Sequence, residues 1–74
     1  MKYIPGQNIT INRKIVQGYV KKFFVPGQTY KLYNILRKEN ETVYTFTDGK
    51  QKFDITLPSI QEGDKMIDYL VGLG

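Results

Sequence analysis

Residues 42–57 alternate polar and apolar side chains on both sides of Asp48-Gly49, a pattern that restricts the stretch to a β-hairpin. Read outward from a two-residue type I′ loop, Thr47 faces Lys50, Thr45 faces Lys52 and Val43 faces Asp54. Tyr44, Phe46, Phe53, Ile55 and Leu57 then gather on one face of the ribbon. A three-residue loop would set Lys50 and Lys52 beside Phe46 and Tyr44. Because a one-residue slip turns every side chain over, the pattern selects the tight turn.

A lone hairpin is only marginally stable in water, so the rest of the chain must supply more sheet. Ile15 to Val25 and Thr29 to Arg37 read as β-rich runs separated by Pro26-Gly27, a pair suited to a type II turn. Both runs carry apolar residues on both parities: Tyr19, Phe23 and Leu32 on one, Val20, Phe24 and Tyr33 on the other. Strands apolar on both faces suit a sheet that curls and bends, and Gly18 is placed for such a bend. Asn8 to Ile11 reads as a first strand, and Lys38 to Glu41 as a further turn. Ile4-Pro5-Gly6-Gln7 and Val25-Pro26-Gly27-Gln28 echo each other 21 residues apart, as two Pro-Gly turns leading into strands would.

At the other end, Met66, Ile67, Leu70 and Val71 recur at helical spacing, with Gly72 where a C-cap belongs. Asp64 and Ser59 are alternative N-caps, and Gly63 argues against continuity back to Ser59, so the expected helix covers about 64–72. The expected fold is mainly β: a single domain over 1–74, built as a five-stranded antiparallel, partly closed barrel of SH3-like or OB-like type. The C-terminal helix would plug one open end.

A 74-residue chain buries only about 60% of its unfolded surface, and this one has neither Cys nor His to add a disulfide or a zinc site. The same absences remove the best nucleophile, the commonest general base and the usual transition-metal ligands. Ser59 is the single serine and sits in no elbow motif. Asp64 and Asp68, one helical turn apart, read as a cap and a solvated helix face rather than an acid–base pair. The expectation is therefore no enzyme, no catalytic residue, no metal and no cofactor. The N-terminal residues lack an apolar h-region, and no apolar run approaches the roughly 18–20 residues of a membrane span. That predicts an intracellular, cytoplasmic protein with no membrane partner. A chain without Ala, with nine Lys to two Arg and many Ile, Asn and Tyr, fits an AT-rich genome such as that of many phages, which would make the compartment a host cytoplasm.

Charge gives the only pointer to a partner. The first 38 residues contain eight Lys and Arg and no acid, and all seven acids follow, for a net charge of +4. Such asymmetry points to an anionic partner. Lys21, Lys22, Lys31, Arg37 and Lys38 interleave with Tyr19, Phe23 and Tyr33 on two runs expected to pair. On an exposed sheet, such cations neutralise phosphates while the rings stack on unpaired bases, which makes these eight residues the candidate nucleic-acid or anion site. The competing requirement is the core, which needs most of the aromatics of so small a chain. Two further readings remain. One is a protein-interaction domain, such as a phage-type inhibitor or adaptor or a homo-oligomeric assembly subunit, binding an acidic protein surface or pairing strand edges. The other is a small anionic ligand held between protomers.

Overall fold

The computed structural model describes residues 2–73. Four strands, β1 (Asn8–Thr10), β2 (Thr29–Arg37), β3 (Thr42–Thr47) and β4 (Lys52–Leu57), form one antiparallel sheet in chain order. A 3-10 helix (Gly18–Lys22) lies in the β1–β2 connection, and helix α1 (Ile60–Leu70) follows β4. The sheet is open, so the expected fifth strand and barrel closure are not found: β1 and β4 are its two edges. Helix α1 touches β1, β3 and β4, lying across the face that a closing sheet would wrap, not at the end of a barrel.

The missing strand is 15–25. There Val16, Val20 and Phe24 are buried at a spacing of four, while Ile15, Tyr19 and Val25 are exposed. The 3-10 helix buries only Val20, while Val16 and Phe24 reach the core from the irregular chain on either side of it, so local turns override the β-rich composition of the run. The partner of β2 on this side is instead β1, with Ile9 opposite Tyr30. The two Pro-Gly turns frame this pair symmetrically. Gly6 N–H donates to Leu32 O and Gly27 N–H to Ile11 O, while Leu32 N–H donates to Gln7 O and Ile11 N–H to Gln28 O. Both glycines have positive φ, +95° and +86°, as the third position of a type II turn requires. The 21-residue echo is therefore the mark of one turn used twice.

The two apolar parities of Thr29–Arg37 have a local cause. Leu32 pairs with Phe46 but Asn34 with Thr45, so Tyr33 is the extra residue of a β-bulge. Tyr30 and Leu32 face the core before it, and Ile35, opposite Tyr44, faces the core after it. The β3–β4 hairpin pairs Thr47 with Lys52, Thr45 with Asp54 and Phe46 with Phe53. Its loop thus holds four residues, Asp48 to Gln51, not two. The Asp48 carboxylate, a side-chain acceptor outside the alternation pattern, takes the N–H groups of Lys50 at 2.8 Å and Gln51 at 2.9 Å and so stabilises the wider turn. A slip of two residues preserves parity, and the expected apolar face stands.

Helix α1 begins at Ile60, four residues before the expected start, with Ser59 Oγ accepting from Glu62 N–H at 3.3 Å. Gly63 does not interrupt it, because the glycine is where the helix meets the sheet: an added Cβ would lie 1.9 Å from the Tyr44 hydroxyl. The helix closes in a Schellman motif, Gly72 N–H to Tyr69 O and Leu73 N–H to Asp68 O. An N-terminal strap ties onto its last turns. The Tyr3 hydroxyl donates to Asp68 Oδ1 at 2.5 Å, and Lys2 Nζ lies 2.8 Å from the same oxygen. Burial, then the bond to Asp68, pushes Tyr3 up to about 12, while the bonds from Lys2 and Tyr3 hold Asp68 below the usual carboxylate range. Burial likewise pushes Tyr44 up to about 12. Among the described residues no helix is long and apolar enough to cross a membrane.

Candidate functional site

The sheet has one covered face and one open face. Tyr30, Leu32, Tyr44, Phe46 and Ile55 point into the core under α1 and Phe24. Lys31, Thr47 and Lys52 form a row across β2, β3 and β4 on the opposite face. Two neighbouring strands are about 4.8 Å apart, so this row separates the two lysine Cα positions by roughly 10 Å. The exposed bulge residue Tyr33 stands on the same face. The Lys52 side chain crosses β3 to reach it, with Nζ 3.8 Å from the ring centroid. Beside the row, Thr45 Oγ1 donates to Asp54 Oδ1 at 2.7 Å.

At the same end of the sheet the core aromatics run out to the surface. Phe46 stacks on Phe53 (6.0 Å, 22°) and Phe53 on Phe23 (5.3 Å, 16°). Tyr19 meets Phe23 edge to face at 5.7 Å and is half exposed. Lys22 Nζ covers this outer pair, 5.6 Å from the Tyr19 centroid and 5.3 Å from that of Phe23. The 3-10 helix and its C-cap Phe23 therefore bring Tyr19, Lys22 and Phe23 together against Phe53 at the start of β4, on the core side of the sheet, and Lys21 belongs to the same turn.

The eight sequence candidates thus divide into three groups. Tyr19, Lys21, Lys22 and Phe23 share the 3-10 helix and its C-cap on the core side; Lys31 and Tyr33 share the open face, at the same end of the sheet but on its other side. Arg37 and Lys38 lie at the other end, six and seven residues along β2 from Lys31, about 20 Å away at roughly 3.3 Å per residue. Lys38 there pairs with Glu41 at 3.7 Å. Lys50 and Lys52, outside the sequence candidates because they belong to the acidic half, complete the basic end. Their signal is the hairpin itself: once β3 and β4 pair with β2, residues 50–52 return to the level of Lys31.

Charge compensation is uneven across the fold. Lys2, Lys38 and Lys65 each have a carboxylate within 4.0 Å. Among the described residues Lys14, Lys21, Lys22, Lys31, Arg37, Lys50 and Lys52 have none, and five of these seven lie at the end of the sheet that holds Tyr19 and Tyr33. The acids beside them are Asp54, engaged by Thr45, and Asp48. Hydrogen bonds from the Gln51 and Lys50 N–H groups hold Asp48 below its ordinary value. The described residues enclose no pocket and hold no cluster of metal-ligating side chains, so this site is a surface rather than a cleft. No family model, curated protein or solved structure matches the chain. Function must accordingly be read from this chain's own geometry.

Proposed function

We propose that the protein is a small, non-catalytic nucleic-acid-binding domain whose contact surface is the basic end of the sheet. The observation that carries this reading is a pair of half-exposed, lysine-covered tyrosines at one end of the sheet. Tyr33 lies under Lys52 beside Lys31 on the open face and Tyr19 under Lys22 on the opposite, core side, with none of these lysines paired to a carboxylate. Unpaired lysines that repel one another weaken a fold; the phosphates of an anionic polymer offset that repulsion, and the counterions released from it add to the affinity. In this reading Lys21, Lys22, Lys31, Lys50 and Lys52 contact phosphates, while Arg37 and Lys38 add only long-range field. The domain works without a cofactor in a cytoplasm, its own or, for a phage-encoded protein, a host's.

Fluorescence anisotropy with a labelled mixed-sequence oligonucleotide tests the assignment. Log affinity is expected to fall linearly with log salt, with a slope of roughly −0.7 to −0.9 per phosphate neutralised. Replacing Lys21 and Lys50 together by glutamine reduces that slope by about one for each phosphate no longer neutralised, and replacing Arg37 and Lys38 leaves it unchanged. Absence of binding at low salt overturns the reading.

A second reading, a protein-interaction domain, has its own observation. Strand β4 is an open edge six residues long, with Phe53 and Leu57 only half buried on it. Such an edge can accept a strand from a partner or a second copy. One stoichiometric, nuclease-resistant partner protein, with no nucleic-acid affinity, selects this reading over the first.

A further inference from the structure

Three of the site's rings are covered by ammonium groups that have no carboxylate to hold them: Tyr33 under Lys52, and Tyr19 and Phe23 under Lys22. We infer that the ligand is single-stranded, and that Tyr33 and Tyr19 are the rings on which its unpaired bases stack, with Lys52 and Lys22 leaving the rings for the neighbouring phosphates. This deepens the nucleic-acid reading and rests on it.

Exchange of one weak interaction for two stronger ones favours this ligand. An ammonium over an exposed ring is a weak contact, whereas a stacked base is a stronger one and brings a phosphate for the displaced cation. Each ring already has its cation within reach, so ring and phosphate contacts form together without rearrangement of the backbone. A duplex cannot use this arrangement, because its bases are stacked on each other and present only their edges. It would meet the lysines and leave both tyrosines unused.

The geometry also separates the two rings by role. Tyr33 is a bulge residue, outside the regular β2–β3 register, and stands half exposed on the open face with the Lys52 side chain across it. Tyr19 stands on the core side of the sheet, edge to face against Phe23, so a base on its exposed surface lies apart from the Phe23–Phe53 stack and makes a separate contact from that on Tyr33. Lys31 lies across the row from Lys52, placed for the next phosphate along the strand.

Anisotropy titrations with one oligonucleotide, single-stranded and then annealed to its complement, separate the possibilities. The single strand is expected to bind at least about tenfold tighter than the duplex. Tyr33→Leu is expected to lower single-strand affinity about tenfold while leaving duplex affinity unchanged, and Tyr33→Phe, which keeps the ring, to retain it. Tyrosine emission should fall as the single strand, but not the duplex, is added. Circular dichroism of Tyr33→Leu matching the parent keeps a folding defect from imitating the weaker binding. Equal affinity for both forms, with Tyr33→Leu silent, overturns the inference and leaves the nucleic-acid reading standing. Binding of neither form removes that reading and this one with it.

Discussion

Phe24→Ala is expected to cost about 3–5 kcal/mol, the range for emptying a fully buried aromatic position. A domain of 74 residues has roughly 4–11 kcal/mol of total stability at about 0.05–0.15 kcal/mol per residue, so the loss is between about a quarter and all of it. The size of the effect follows from what the ring touches. Phe24 meets Tyr30 at 5.0 Å, Phe46 at 5.1 Å and Phe53 at 5.4 Å, in each case edge to face. It comes from the irregular β1–β2 connection, outside any strand or helix, and roofs the part of the sheet next to Phe53. Removing the ring therefore opens a cavity and also releases the segment that carries Tyr19, Lys21 and Lys22. Urea melts read by circular dichroism check this: a large fall in midpoint is expected for Phe24→Ala, a smaller one for Phe24→Leu, and a change within about 0.5 kcal/mol for Val25→Ala, whose side chain is exposed.

Gly63→Ala is expected to destabilise by about 1–3 kcal/mol, although alanine is the better helix former by about 1 kcal/mol. The new methyl would overlap the Tyr44 hydroxyl, Cζ and Cε1 at 1.9, 2.1 and 2.3 Å. Tyr44 cannot swing away, being fully buried and bonded through its hydroxyl to Ile60 O at 3.3 Å. The helix would have to rise off β3. A double-mutant cycle isolates the cause. In a Tyr44→Leu background, which costs stability by itself, the further cost of Gly63→Ala should shrink or reverse sign as the intrinsic helix preference takes over. An equal cost in both backgrounds would place the strain elsewhere.

Gly63 also illustrates what can be read from the residues alone. A glycine inside a helical pattern costs stability unless something needs the space, and the ring that needs it lies 19 positions away in sequence, on a strand whose register the residues do not state. The same limit applies to the bulge. Apolar residues on both parities of Thr29–Arg37 are visible, but a curling barrel and an inserted residue produce the same pattern, and only pairing to β3 separates them. Elements that state their own chemistry are legible: the alternating hairpin face, the first strand after Pro5-Gly6 and the terminal Gly72; Ser59 is visible as a cap candidate, but Gly63 argues for the later start at Asp64. The run 15–25 misleads because its β-branched and aromatic composition outweighs the spacing of Val16, Val20 and Phe24. That error carries into the site. Two paired strands would put all five candidate cations on one ribbon, whereas the fold sets Lys21 and Lys22 in a 3-10 helix beside Phe53 and leaves Arg37 and Lys38 at the far end of β2.

The claim that the basic end is the binding surface is tested most directly by nuclear magnetic resonance. Backbone amide shifts of the folded protein, followed as a short mixed-sequence single strand is added at low salt, should move at residues 18–23, 31–33 and 47–52. They should stay fixed along α1 and at Arg37–Glu41. Shifts confined to α1, to the residues of β4 beyond Phe53 or to the 38–41 turn would contradict the claim, as would a spectrum that does not change at all.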